Sequence, residues 1–222
     1  MNPINKNAYF ESRKSVGKKF ASQLEFLKDE KVAVLAVSPG GLIIASEISK
    51  LLDSEVGMLQ LKHVKIPGSV DLGVINSGGG FTYGQNITGG EIEEFNIEYR
   101  TSIDASKFNA MHDLHVMSGI GELAPKDFAD KNVIIVTDMA RTGTTIKAAL
   151  DFLHHTTLKS VIIVAAVAQP TAIDIMHRNS DRVLCLHATD KDFGSDHYFA
   201  DNSIPDNDNI IKILSRTIPI NR

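Results

Sequence analysis

The sequence is poor in the features that cross-link a chain, anchor it in a bilayer or attach it to a polyanion. Its one cysteine, Cys185, excludes an internal disulfide, and a lone thiol in an apolar run (182–186) reads as a buried strand residue in a reducing compartment. No apolar run approaches the roughly 20 residues of a membrane helix. The N-terminal stretch carries Lys6, Glu11 and Lys14 without a long apolar core, so no secretory signal is expected and a cytoplasmic location is. Basic residues are not in excess: 23 Lys and Arg stand against 27 Asp and Glu, for a net charge of -4. The isoelectric point is near 6.0. A chain of this balance lacks the broad positive field of a nucleic-acid binder, so an anionic ligand must be met by a local site. Internal repeats and low-complexity tracts are also missing.

What is present suffices for one core. The 222 residues are 43% hydrophobic, enough for a single domain spanning 1–222. Two segment types alternate along it. Short β-branched runs at 32–37, 56–61, 133–136, 161–167 and 183–186 are nearly unbroken, the pattern of strands buried on both faces. Between them, Val16, Phe20, Leu24 and Leu27 share one helical face, as do Ile146, Ala149, Leu150 and Leu153. Segments 42–52 and 172–178 are also helical in pattern. This alternation predicts an α/β fold: a three-layer αβα arrangement around a mostly parallel central sheet. Ligands of such sheets sit beyond the carboxyl ends of the strands, which directs attention to the loops after Val37 and Val136.

Segment 68–90 differs, with Gly78-Gly79-Gly80, Gly89-Gly90 and the aromatics Phe81 and Tyr83; it reads as a β-hairpin or a mobile flap. Residues 91–130 have mixed polarity and no clear element, and Pro125 should break any helix there. The tail from Pro205 is acidic and then helical at 210–214.

The strongest chemical signal follows the 133–136 strand. Thr137 and Asp138 come next, then Met139-Ala140-Arg141-Thr142-Gly143-Thr144-Thr145, then a helix. A helix N-terminus points unpaired N–H groups at one spot and its dipole makes that spot positive. Gly143 lets the backbone curl around an anion, Thr142, Thr144 and Thr145 add hydroxyl donors, and Arg141 adds a charged fork. Asp138, expected just beyond the strand, suits a sugar diol or the water shell of Mg²⁺. An ordinary strand-turn-helix with threonine caps has the same spacing.

The wider pattern resembles the type I phosphoribosyltransferases. The segment 133–149 is similar to their signature of strand, acidic pair, linker, Thr-Gly, small residue, Thr and helix. The likeness extends to 10–21 with Arg13 and Gly17, to 32–41 leading into a Pro-Arg-Gly-Gly-like turn, to 62–68 and 73–79, to 164–170, and to 193–214 with Tyr198 and Phe199. It is closest to a broad bacterial group of the family and leaves only about 91–130 uncovered. The resemblance implies that the chain binds phosphoribosyl pyrophosphate (PRPP) with Mg²⁺ and transfers the phosphoribosyl group to a nitrogenous base. Arg141 to Thr145, with Ala140, would cradle the 5′-phosphate. Asp138 would be the catalytic residue steadying the ribose, with Thr137 beside it, and a weak metal ligand. Ser38, Pro39, Gly40 and Gly41 would flank the pyrophosphate, with Lys62 and His63 neutralising it. Tyr198 and Phe199 would stand on the acceptor side, in a hood formed by about 1–10 and 190–205, with the flap at about 68–90 closing over the site. A homodimer is implied by the same likeness.

The chain departs from the pattern at three places. Thr137 replaces the first carboxylate, Met139 a glycine, and Pro39 the arginine of the turn, whose proline is Ser38. A threonine cannot stabilise positive charge building on the sugar. A ligand-binding or regulatory protein with weakened catalysis is therefore the alternative reading. Other candidates read as surface chemistry: His112 and His115 as exposed histidines rather than metal ligands, His154-His155 as a helix end, and Asp190 and Asp192 as a solvated loop that Asp196 and Asp201 extend; Lys65 forms a local basic patch with Lys62 and His63 that reads equally as a solvated strand end or a pyrophosphate contact.

Overall fold

The computed structural model describes residues 9–116, 123–216 and 218–220. The expected hood segment 1–10 therefore contributes only Tyr9 and Phe10, and 117–122 of the unplaced stretch lie outside the described residues.

The chain opens with β1 (Phe10–Ser12) and α1 (Arg13–Gln23), then β2 (Val32–Ala36), α2 (Pro39–Leu52) and β3 (Glu55–Met58). Three strands follow, β4 (Leu61–Ile66), β5 (Val70–Asn76) and β6 (Phe81–Tyr83), then helices α3 (Gly89–Glu98) and α4 (Arg100–Val116). The second half is β7 (Asn132–Ala140), α5 (Thr144–Leu153), β8 (Ser160–Ala168), α6 (Pro170–Arg178), β9 (Arg182–Ala188), β10 (Phe199–Asp201), α7 (Asn207–Arg216) and β11 (Ile218–Pro219).

The main sheet has the order β11-β3-β2-β7-β8-β9, and every pairing in it is parallel. Alternate residues of the central strands go to opposite faces, as the two-residue period of a strand requires. Val34, Ala36, Ile134 and Val136 join a core with Phe20 of α1 and Ile44 and Ile48 of α2. Ala33, Leu35, Val133 and Ile135 join a second core with Ile146 and Leu153 of α5 and Met176 of α6. This is the three-layer αβα arrangement the alternation predicts. Among the described residues, no helix is long and apolar enough to cross a membrane.

Several details differ from the sequence reading. The run 56–61 is not one strand: β3 ends at Met58, and β4 begins a separate antiparallel sheet, β4-β5-β6. That sheet is the hairpin reading of the glycine-rich segment. It closes on its own core, in which Val64, Ile66 and Leu72 meet Ile103, Ala110 and Leu114 of α4. Gly89 and Gly90 open α3, because Thr88 and Glu91 form a reciprocal capping box there. Pro125 starts a short 3-10 turn, Pro125–Phe128, where its missing N–H costs nothing. Cys185 is half-buried, since β9 is an edge strand whose residues are only partly covered on either face.

Candidate functional site

The strand carrying the phosphate-loop signature is longer than its apolar run. β7 continues through Thr137, Asp138 and Met139 to Ala140 because β8 alongside it supplies backbone partners as far as Ala168. Asp138 thus lies within a parallel strand and not beyond it, and this decides where its side chain goes. It turns to the α1–α2 face and is 6% exposed. Its Oδ2 accepts from Arg13 Nε at 2.9 Å and its Oδ1 from Ser38 Oγ at 2.7 Å.

Arg13 is the centre of this arrangement. It is 1% exposed, at the first position of α1. One of its terminal nitrogens donates to Ser195 Oγ at 3.2 Å and Asp196 Oδ1 at 3.1 Å, so a single guanidinium joins α1, β7 and the 195–198 turn. The guanidinium also lies 4.4 Å from the centre of the Phe199 ring. Ser38 caps α2, accepting from Gly41 N at 2.9 Å, so Pro39, Gly40 and Gly41 form the first helical turn. Gly40 leaves no room for a side chain there, because an added Cβ would overlap Asp138 Oδ2 and crowd Arg13 Nε. The buried Thr137 turns its hydroxyl back on Met139 O at 3.0 Å.

Beyond β7 the chain makes the expected loop. Gly143, at φ 77°, supplies a left-handed turn before α5, a conformation that costs little only for glycine. Thr142 Oγ1 and Thr144 Oγ1 lie 2.8 Å apart, and Thr144 Oγ1 also accepts from Gln85 N at 3.2 Å, tying the loop to the segment after β6. A cleft of about 390 Å³ opens over this loop. Met139, Arg141, Thr142, Gly143, Thr144 and Thr145 form one wall, and His63, Lys65, Asp71, Gly84 and Asn86 form the other. Gln169 and Asp192 complete it. Arg141 reaches Asp192 at 3.4 Å, across the mouth.

The structure therefore divides the residues expected from the sequence. Arg141 to Thr145 and His63 share one cleft. Thr137, Asp138, Ala140 and Ser38 to Gly41 do not line it: Ser38 and Pro39 are half-buried at the start of α2 and the others are buried. Lys62 pairs with Asp113 of α4 at 3.5 Å and lines a neighbouring groove with Ser106 and Asn109, which His63 also borders. Tyr198 and Phe199 are almost fully buried, so they offer no open ring face; Tyr198 Oη instead donates to Lys191 O at 3.0 Å. The exposed hood aromatics are Tyr9 and Phe193.

The expected Mg²⁺ role of Asp138 does not fit its placement, since the carboxylate is 6% exposed, is paired with Arg13 and does not line the cleft. Among the described residues, no three His, Cys, Asp or Glu side chains converge as a metal site. His115 Nδ1 bonds Met111 O at 2.8 Å within its own helix, as befits a surface histidine. Two shifted groups lie near the hood. The hydroxyl and amide of Ser203 hold the Asp201 carboxyl below its ordinary value, and burial pushes the Cys185 thiol up.

Lys65 is foreseen only as part of a basic patch, and Asp71, Asn86 and Gln169 are not foreseen. Asp71 reaches the cleft through the hairpin register, Asn86 through the segment after β6 and Gln169 from just beyond β8, none of which leaves a local motif. The Arg13–Asp138 pair joins residues 125 positions apart.

Comparison with known proteins agrees with this architecture. TT1426 from Thermus thermophilus superposes with a TM-score of 0.70 at 19% identity, covering 94% of this chain and 98% of its own. A hypoxanthine phosphoribosyltransferase from Staphylococcus aureus gives a TM-score of 0.51 at 14% identity, covering 86% of this chain and 80% of its own. At such identities the likeness is one of fold. The family model described as Phosphoribosyl transferase domain matches residues 6–196, which include β7, the Gly143 turn and both walls of the cleft. The chain belongs to the type I phosphoribosyltransferase family.

Proposed function

We propose that the cleft binds PRPP and that the protein transfers its phosphoribosyl group to a nitrogenous base. The observation that carries this is the turn at Gly143, which presents Arg141, Thr142, Thr144 and Thr145 to one cleft at the N-terminus of α5. That arrangement suits a dianionic 5′-phosphate. The opposite wall brings His63 and Lys65 within the same cleft, on the side available to pyrophosphate. In the reaction the acceptor nitrogen forms a bond to C1′ as the C1′–O bond to pyrophosphate breaks, and the acceptor's proton leaves to solvent or base. Positioning and fixed charge supply the catalysis.

Asp138 has a supporting part in this reading. Caged by Arg13 and Ser38, it ties the end of β7, which leads into the loop, to α1 and α2. Mg²⁺ is proposed to arrive on the diphosphate of the ligand. Asp192 lines the cleft and Arg13 holds Ser195 and Asp196 against α1, which supports an acceptor entering between the hood and the loop. A cytoplasmic homodimer belongs to the same proposal, on the family resemblance alone.

A second reading, ligand binding with weak turnover, has its own observation: the Thr137 hydroxyl is spent on Met139 O, and the buried Asp138 carboxylate is held by Arg13 and Ser38. Pyrophosphate release from Mg²⁺–PRPP with a panel of purine and pyrimidine bases separates the two. Base-dependent release with nucleotide formation supports transfer. A protein that is stabilised by PRPP but releases no pyrophosphate with any base supports the second reading.

A further inference from the structure

We infer that His63 and Asp71 form a proton-donating pair for the departing pyrophosphate, with His63 as the catalytic residue and Asp71 as its positioning residue. The inference rests on the PRPP reading above and adds to it a proton path. His63 Nδ1 lies 2.7 Å from Asp71 Oδ2. An ionised carboxylate only accepts hydrogen bonds, so Nδ1 carries the hydrogen and Nε2 is the ring nitrogen left for the cleft. The strands bring this about. β4 and β5 pair with a register shift between Val64 and Lys65, and Lys65 is the register partner of Asp71. An irregularity of this kind re-aims side chains. Here it sets Asp71 opposite Lys65 instead of Ile66, within reach of the His63 ring, whose own register partner is Val74.

Both side chains line the cleft that holds Arg141 and Thr142 to Thr145. Both are about half exposed, so they are reachable by a ligand and replaceable without opening the core. The charged groups around His63 are Lys62 and Lys65 on its own strand, Asp71 on β5, Asp113 on α4 (already paired with Lys62), and Arg141 and Asp192 across the cleft (paired with each other). Asp71 is thus the carboxylate bonded to the ring. A pyrophosphate in the cleft would add negative charge on the Nε2 side and favour the doubly protonated ring.

Atoms and electrons balance in the step. The acceptor's lone pair forms the new bond to C1′. The C1′–O bond breaks, and its electron pair stays on the pyrophosphate oxygen. That oxygen takes the proton from Nε2. The neutral ring then regains a proton from solvent or from the acceptor nitrogen, and Asp71 keeps Nδ1–H throughout.

The test reads the ring nitrogens of ¹⁵N-labelled protein by NMR, with the His63 signals identified by their loss in His63→Gln. The inference expects the neutral ring to carry its hydrogen on Nδ1. At a fixed pH of about 7, magnesium pyrophosphate should increase the doubly protonated fraction. Asp71→Asn should abolish the Nδ1 preference and blunt that response. In pyrophosphate release, His63→Gln should cost about 100-fold and lose the wild-type dependence on the protonated ring, while PRPP still raises the thermal midpoint. A ring that does not respond to magnesium pyrophosphate, in a protein whose thermal midpoint still rises with PRPP, overturns the inference and leaves the PRPP reading intact. No thermal response to PRPP overturns the PRPP reading and the inference with it.

Discussion

Replacing Arg13 with methionine would remove the charge that compensates Asp138 while nearly conserving the volume of the side chain. Arg13 is 1% exposed and Asp138 6%, and their bond is 2.9 Å long. Breaking one partner of a buried pair leaves the other charged and unsolvated, at a cost of about 3–5 kcal/mol. The contact to Asp196 adds little, because that carboxylate is 60% exposed. In a chain of this size 1 kcal/mol moves the thermal midpoint by roughly 2–4 °C, so Arg13→Met should lower it by about 6–20 °C. The double variant Arg13→Met/Asp138→Asn should recover a large part of that loss, because the amide still accepts from Ser38 and no charge remains to be compensated. Circular dichroism melts and urea titrations of the wild type, both single variants and the double variant give the coupling directly. A single variant within about 2 °C of wild type, or a double variant no more stable than Arg13→Met, would refute the reasoning that Arg13 and Asp138 are the buried tie between α1 and the loop strand.

Three individual contacts carry outcomes of their own. Gly143→Ala should cost about 1–2 kcal/mol, since its φ of 77° disfavours a side chain and the added Cβ would lie 2.9 Å from Ile175 Cδ1; PRPP affinity should fall with it, read by calorimetry. The folded Asp201 carboxyl titrates below the ordinary value of about 3.9, so its small contribution is present above that value and fades as pH falls through the folded one; Ser203→Ala should return its NMR titration toward the ordinary value. Burial holds the Cys185 thiol in its protonated form at neutral pH, so labelling by a thiol reagent should be slower than for a free thiol and should accelerate on unfolding.

The sheet was legible because its strands are buried on both faces, which leaves unbroken runs such as 133–136 and 161–167. Polar strand ends were not. Thr137 and Asp138 look like loop residues, and only the pairing of β7 with β8 shows that they are in the strand. The Gly143 turn was legible as a local motif with its chemistry in adjacent residues. The other wall was legible in part: His63 and Lys62 are sequence neighbours, yet only His63 reaches the cleft, because neighbours on a strand point to opposite sides. The aromatic pair at Tyr198 and Phe199 misled for a related reason. In a polar stretch it suggests an open binding face, but both rings are buried, Phe199 where β1 and β10 pair and Tyr198 against Tyr9 and His187. The tie from Arg13 to Asp138 left no signal at all, since nothing in a sequence marks which of several acidic residues a distant arginine will meet.

The central claim is a sugar-phosphate site in the cleft above Gly143. Thermal midpoints with Mg²⁺ and increasing PRPP, set against ribose 5-phosphate and inorganic phosphate, test it most directly. Saturation at a hundred times the dissociation constant corresponds to roughly 2.7 kcal/mol, or about 5–11 °C here. The account predicts a rise with PRPP that exceeds the rise with either control and is lost in Gly143→Ala. Equal rises with all three anions, or none with any, would contradict it.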